Sequence, residues 1–230
     1  MSEFREVSFQ ENVTQRTPCV LILDASGSMG VAASGANKSR IALLNEGVHA
    51  LRKEIDSDEM ARVRVRLLVI SVGGPNDVDV VTDWTDAVDF RPTELSAGGT
   101  TPLGQGIRLG LEMLRTERRR LAENGIGLTR PWMIVMSDGA PDVDQWREAA
   151  TELRQAEANK LCTVFPIGID GGDLQKLGEL TAQRPALAMA SVKFTEFFSW
   201  LSIGLSQASR SKPGDALQLP SKDAWAHIGV

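Results

Sequence analysis

The sequence predicts an α/β protein of the Rossmann-like, doubly wound type, with a mostly parallel central sheet and helices on both faces. Short apolar runs alternate along the chain with longer amphipathic stretches. Such alternation is typical of βαβ units, whose right-handed crossovers place helices on both sides of a parallel sheet. Hydrophobic residues make up 42% and charged residues 24% of the 230 positions. This composition is that of a globular domain with a core of its own.

The apolar runs and the helical periodicity predict the elements in order. The first strand is 19–23, with the all-apolar sequence CVLIL, which indicates burial on both faces. Ser39 is expected to cap the first helix, 40–55. The further predicted strands are 64–71, 78–81, 132–136, 161–169 and 187–190. The further predicted helices are 103–122, 143–159, one that starts at 173, and 195–206.

The periodic pattern stops near Ser209, and this change predicts the domain limits. The predicted parts are an N-terminal extension at 1–14, one α/β domain at 15–208 and a C-terminal tail at 209–230. The tail is expected either to be solvated or to dock on the domain through Leu217, Leu219 and Trp225.

Charge and cysteine content limit the partners and the compartment. The net charge of −5 disfavours nucleic acid and anionic membranes as partners, because both select basic surfaces. The N-terminus lacks a basic start with an apolar stretch, and no apolar run approaches a membrane span of ~18 residues. Cys19 and Cys162 each lie in an apolar run, which favours reduced core thiols over a disulfide. We therefore expect a cytoplasmic protein.

Oxygen-bearing side chains occur at three places next to predicted strands and helices. Asp24, Ser26 and Ser28 come after the first strand, Thr100 and Thr101 precede a helix, and Asp138 follows the strand 132–136. In a doubly wound sheet, ligands bind outside the carboxyl ends of the strands. Carboxylates and hydroxyls without thiolates or imidazoles suit a hard cation, so we expect Mg²⁺, with Mn²⁺ or Ca²⁺ as alternatives.

The pattern Asp24-x-Ser26-x-Ser28, a Gly-Gly-Thr segment and Ser137-Asp138-Gly139 resembles the metal-ion-dependent adhesion site of von Willebrand factor A domains. The resemblance covers roughly 15–208 and implies the von Willebrand A fold. It also implies that the first Asp, the two Ser, a Thr and the later Asp surround the ion. The family's spacing to the following helix selects Thr101, with Thr100 as the second choice.

The resemblance further implies a non-catalytic module that binds a partner protein, whose Asp or Glu completes the metal shell. Gly27, Met29, Thr100 and Gly139, which adjoin the ligands, are then expected to contact that partner. Within the family, the phrases LILDASGSM, AGGTTPLGQGI and IVMSDGAPDVD are similar to bacterial TerY-type proteins of tellurite-resistance and stress-response gene clusters. That similarity implies kinase- or phosphatase-like partners.

Two other functions remain open. An Asp at the end of the first strand, as Asp24 is here, also occurs in Mg²⁺-dependent phosphatases, where it acts as the nucleophile. Those enzymes need a second carboxylate two residues later, and this sequence has Ser26 there. Similar domains also serve as substrate-loading subunits of ATPases. A nucleotide-binding domain is disfavoured, because the sequence contains no phosphate-binding loop motif after a strand.

Overall fold

The computed structural model describes residues 15–142, 145–211 and 219–227. The predicted N-terminal extension, 1–14, and Leu217 lie outside these residues. Helices and strands alternate along most of the chain. The strands are β1 (Thr17–Ala25), β2 (Val65–Gly73), β3 (Val78–Asp86), β4 (Trp132–Ser137), β5 (Thr163–Ile169), β6 (Leu187–Met189) and β7 (Ala226–His227). The α-helices are α1 (Arg40–Asp56), α2 (Glu59–Arg64), α3 (Leu103–Glu123), α4 (Trp146–Ala158), α5 (Leu174–Gly178) and α6 (Phe194–Arg210).

The strands form one sheet in the order β3-β2-β1-β4-β5-β6-β7. Its five inner strands are parallel, while β3 and β7 pair antiparallel with their neighbours. From β1 the chain moves to β2 on one side and later to β4 on the other. The strand order therefore reverses between β1 and β4, and their carboxyl ends border the crevice in which such sheets bind ligands. The predicted fold class is confirmed.

Side chains of β1 alternate between two apolar cores because successive residues of a strand point to opposite faces. Cys19, Leu21 and Leu23 pack with α1 and α6 in one core. Val20 and Ile22 pack with α3 and α4 in the other. Both cysteines are buried and free, and they lie in different cores, so the prediction of reduced core thiols is confirmed for the described structure. None of the helices described here is long and apolar enough to cross a membrane.

Several element bounds differ from the predictions for identifiable reasons. Strand β3 extends to Asp86 rather than to residue 81, because its polar residues are tolerated on an edge strand that is partly exposed along its length. Helix α2 was not predicted: its six residues are too few to show a helical period. Helix α4 begins at Trp146, after Gln145, whose φ is 60°, while the predicted start at 143 lies outside the described residues.

The C-terminal residues follow the docked alternative. Helix α6 runs to Arg210, so the predicted tail starts within a helix. Trp225 is 2% exposed, and its ring lies 4.9 Å from that of Phe197 and 5.1 Å from that of Trp200. Strand β7 adds to the edge strand β6. The docked alternative therefore holds for Trp225, which adds to the core, and Ala226–His227 add to the sheet, whereas Leu219 is 41% exposed and does not dock.

The charged cluster around Glu117 on α3 yields a pH prediction. Burial favours a raised pKa for this carboxyl, but the hydrogen bonds and charges of Arg120 and Arg66 outweigh burial and lower the pKa. A carboxyl whose pKa is lowered by folding stabilises the fold above its unfolded pKa, and this stability is lost as pH falls through the folded value. We expect Glu117→Gln to cost about 1–2 kcal/mol at neutral pH and to reduce the loss of stability between about pH 5 and 3.

Urea denaturation of both proteins at a series of pH values measures this difference. Glu123→Gln on the exposed end of the same helix removes the same charge and should leave the pH profile unchanged. A profile for Glu117→Gln that parallels the wild type would contradict the assignment.

Candidate metal centre

The carboxyl end of β1 carries a carboxylate that is fully buried. Asp24 has no solvent exposure, and each of its oxygens accepts one hydrogen bond. The Ser26 amide donates to Oδ1 at 2.8 Å, and the Ser137 hydroxyl donates to Oδ2 at 2.5 Å. The first bond bends the chain into a short 3-10 helix at Gly27–Gly30. The second connects the ends of the adjacent strands β1 and β4, so Asp24 fixes the two loops of the crevice to each other.

The predicted ligands on these two loops form a continuous row of oxygens. The hydroxyls of Ser26 and Ser28 lie 3.0 Å apart. Ser28 donates in turn to Oδ1 of Asp138 at 2.6 Å. Ser26 is buried, whereas Ser28 is exposed, so the row leads from the interior to the protein surface. Four of the five predicted ligands are therefore linked, directly or through Ser137, at the switch point of the sheet.

Backbone contacts bring the loop of the fifth predicted ligand, Thr101, to the loop that carries Ser26 and Ser28. The loop before α3 contacts the loop of Ser26 and Ser28, because the Gly27 amide donates a hydrogen bond to the Gly99 carbonyl at 3.2 Å. Thr101 is 9% exposed, and its carbonyl accepts from the Asp142 amide at 3.0 Å. Within the described residues its hydroxyl has no hydrogen-bond partner. A mostly buried hydroxyl with free lone pairs fits a role as a ligand.

Gly73, the last residue of β2, permits this close approach of the loops. Its φ is 86°, and a Cβ atom there would lie 2.5 Å from the Ser26 nitrogen and 2.8 Å from the Thr100 carbonyl oxygen. Any larger residue would therefore push the two ligand-bearing loops apart. A positive φ also favours glycine on conformational grounds.

Arg40, which the sequence analysis did not select, contacts the row from α1. Its Nη1 lies 2.8 Å from Oδ2 of Asp138 and 3.2 Å from the Ser28 carbonyl oxygen. Its Nε lies 2.8 Å from Oδ2 of Asp170, the residue that follows β5. One signal was available in the sequence. A cation in the first turn of a helix is unfavourable with respect to the helix dipole, and its presence there indicates a specific partner.

The electrostatics of the site favour an added cation. Burial raises the pKa of Asp24, partly against the hydrogen bonds from Ser137 and Ser26, and the nearby charge of Asp138 raises it further. For Asp170, the hydrogen bonds from Ser191 and Arg40 outweigh burial, so its pKa is lowered. Two carboxylates, Asp138 and Asp170, thus share one guanidinium, and a cation beside Asp24 would favour the ionised form that burial disfavours.

The donor chemistry fits a hard divalent cation. The described residues contain no group of three or more His, Cys, Asp or Glu side chains that could hold a metal by themselves. Hydroxyls must therefore complete any ligand set, and the row supplies them from Ser26, Ser28 and Thr101. The Asp138 side chain has no solvent exposure, and both its oxygens are engaged. Like Asp24, it is suited to orient hydroxyls or water around an ion rather than to bind it alone.

The residues expected to contact a partner divide into two groups. Gly27 and Thr100 are exposed and Gly139 is partly exposed, so all three border the row on the protein surface. Met29 is fully buried in the core beneath α1 and α6. The expectation that Met29 contacts a partner is therefore wrong: its apolar side chain anchors the loop from below.

No protein-family model and no curated protein matches the sequence. The fold, in contrast, matches many solved structures. One is the pilus adhesin SpaC from Lactobacillus rhamnosus GG, with a TM-score of 0.66 and 16% identity over 84% of this chain and 31% of the adhesin. Another is a von Willebrand factor type A protein from Catenulispora acidiphila, with a TM-score of 0.58 and 15% identity over 84% of this chain and 43% of that one.

The SpRpn10 VWA domain matches with a TM-score of 0.54 and 14% identity. The match covers 79% of this chain and 95% of that domain. By contrast, the chain spans less than half of the SpaC adhesin and of the Catenulispora protein. At these identities the comparisons concern the fold, and they show that this chain has the fold of a von Willebrand factor A domain.

Proposed function

We propose that the chain is a non-catalytic protein-interaction module that binds a partner through a divalent metal ion, Mg²⁺ or alternatively Mn²⁺ or Ca²⁺. The observation that carries this proposal is the hydrogen-bonded chain from buried Asp24, through the amide and hydroxyl of Ser26 and the hydroxyl of Ser28, to Asp138. It lies at the switch point of the sheet and opens to solvent at Ser28. Ser26, Ser28 and Thr101 would hold the ion, and Asp24 and Asp138 would supply charge and orientation.

A bound divalent cation would supply a positive charge with an open coordination position. Neutral hydroxyl ligands leave most of that charge uncompensated, so a carboxylate from outside is attracted to it. The proposed partner therefore presents an Asp or Glu, with Gly27, Thr100 and Gly139 forming the surrounding contact surface. Small, exposed residues around the row leave room for the partner's backbone.

The surroundings of Asp24 disfavour the phosphatase alternative. A carboxylate nucleophile must reach its substrate, but Asp24 is fully buried and both its oxygens accept hydrogen bonds. His49, a conceivable base for Ser26 or Ser28, lies on α1 with Nε2 2.8 Å from Glu94 Oε1. These contacts support a binding role rather than a catalytic one.

We place the module in the cytoplasm, in a bacterial stress-response system of the tellurite-resistance type with a kinase- or phosphatase-like partner. The sequence phrases that resemble TerY-type proteins support this placement. The two free, buried cysteines also suit a reducing compartment.

Titration of the metal-stripped protein tests the proposal. Magnesium, manganese and calcium chloride are added separately, with and without a short peptide that contains a central glutamate. Calorimetry measures binding, and NMR of ¹⁵N-labelled protein locates it. We expect saturable binding, shifts of the Gly27, Ser28 and Thr101 amides, and peptide binding that disappears with EDTA. The absence of saturable metal binding both with and without the peptide would refute the proposal.

A further inference from the structure

Strand β3 forms one edge of the sheet, and its backbone is available for pairing. It bonds to β2 on one side, and no other segment within residues 15–142, 145–211 and 219–227 pairs with its outer side. None of its nine residues is fully buried, and Asp79 and Asp83 are the most exposed. An open edge strand is a template for an added strand unless charge or shape prevents it.

A groove of about 550 Å³ lies beside this edge, between β3 and α3. Trp84 provides an aromatic wall that is partly exposed, held in place by its Nε1, which donates to the Met113 carbonyl at 3.3 Å. Leu109 and Met113 add apolar surface. A side chain that enters the groove can therefore stack on the indole ring of Trp84.

Some of the charged side chains that line the groove form ion pairs, and others do not. The guanidiniums of Arg66 and Arg120 both bind Glu117, at 2.7 Å from its oxygens. The Asp83 carboxylate accepts a hydrogen bond from the Trp84 amide at 2.7 Å, and Glu112 is exposed. Neither Asp83 nor Glu112 has an ion pair within the described part of the chain. The groove thus presents two uncompensated carboxylates around an aromatic ring.

We propose that β3 and this groove bind an extended basic segment of a partner protein. The segment would pair with the outer edge of β3, which provides main-chain hydrogen bonds. A Lys or Arg of the segment would then enter the groove, between Asp83 and Glu112 and over the face of Trp84, as a cation–π contact. The carboxylates on the edge select against a second copy of this chain, since the same acidic strand would be repelled.

This surface is separate from the metal centre. Arg66 and Trp84 lie near the amino end of β2, where Arg66 pairs with Asp86. Gly73 and the ligand loops lie at its other end. The seven-residue separation along β2 corresponds to about 23 Å. Binding at β3 therefore needs no metal, and it can be measured with EDTA present.

The test uses an eight-residue peptide of alternating lysine and valine, with a glutamate–valine peptide as the comparison. ¹⁵N-labelled protein in EDTA is titrated with each and followed by NMR. We expect the lysine peptide to shift the β3 amides and the Trp84 indole signal and to slow amide exchange along β3. The double variant Asp83→Asn/Glu112→Gln should weaken binding at least roughly fivefold.

The matched control is Asp89→Asn/Glu123→Gln, which removes the same charge from exposed positions outside the groove. It should bind the lysine peptide like the wild type. Equal weakening in both double variants would overturn the proposal, because it would mean attraction by net charge alone. Shifts that spare β3, or equal binding of the glutamate peptide, would overturn it as well. Since EDTA is present throughout, none of these outcomes depends on the metal-site proposal.

Discussion

Replacement of Asp24 by asparagine is expected to weaken Mg²⁺ binding by roughly 10- to 100-fold, the usual effect of losing a residue that orients metal ligands. The charge of Asp24 is lost while its volume is kept. Its partners, the Ser26 amide and the Ser137 hydroxyl, position the two loops of the site. An asparagine can still accept from the Ser26 amide and can donate to Ser137, so we expect the fold to survive.

The measurement is calorimetric titration of metal-stripped protein with magnesium chloride, together with thermal unfolding of the metal-free form. Asp89→Asn, which removes an exposed carboxylate, is the matched control and should bind like the wild type. Asparagine is preferred to alanine, because alanine would leave the buried Ser26 amide without its acceptor at a cost of about 1–3 kcal/mol. Unchanged Mg²⁺ affinity in a folded Asp24→Asn protein would show that the carboxylate has no part in metal binding.

Gly73→Ala is expected to destabilise the protein by about 2–5 kcal/mol and to impair metal binding in the fraction that folds. About 1–2 kcal/mol comes from holding a residue with a Cβ atom in the left-handed region. Overpacking adds about 1–3 kcal/mol, because the new methyl group would meet the Ser26 nitrogen at 2.5 Å. All three close contacts of that methyl group, the Ser26 nitrogen and Cα and the Thr100 carbonyl oxygen, are backbone atoms of the ligand loops. Relief of the clash must therefore move the site itself.

Gly125→Ala separates these two contributions. Gly125 has a φ of 69°, similar to that of Gly73, but a Cβ atom there would have no neighbour within 4 Å. It should therefore show only the conformational cost of about 1–2 kcal/mol, with metal binding intact. Chemical denaturation gives the free energy of unfolding of both variants. Equal losses of the free energy of unfolding in the two variants would contradict the argument that Gly73 is needed for the close approach of the loops.

The fold class was predictable because strand and helix periods are local properties of the sequence. The run CVLIL indicates burial on both faces whatever its neighbours are, and β1 contains it. The predicted strand β3 was too short. Its partly exposed, polar residues reflect its position at the edge of the sheet, and a local sequence pattern does not reveal that position. The burial of Trp225 likewise depends on a long-range contact with α6.

The candidate site was predictable to the extent that it follows strand ends. Asp24, Ser26, Ser28 and Asp138 meet because parallel strands place their carboxyl ends at one edge, so order along the chain was sufficient. Arg40 and Asp170 escaped notice because their importance lies in a contact across 130 positions. Met29 was misassigned because it adjoins Ser28 in sequence, yet the 3-10 turn directs its side chain inward.

The contacts of Arg40 hold the loops of this site in place whether or not an ion is bound. Its guanidinium forms ion pairs with both Asp138 and Asp170, so these two carboxylates are held in place without a bound ion. The loops are consequently organised in advance, and under the proposed function a cation would meet side chains that are already held in place. Under the proposed function, exchange of the ion would then be rapid and reversible, and the concentrations of metal and partner, rather than the folding of the chain, would determine when the two proteins associate.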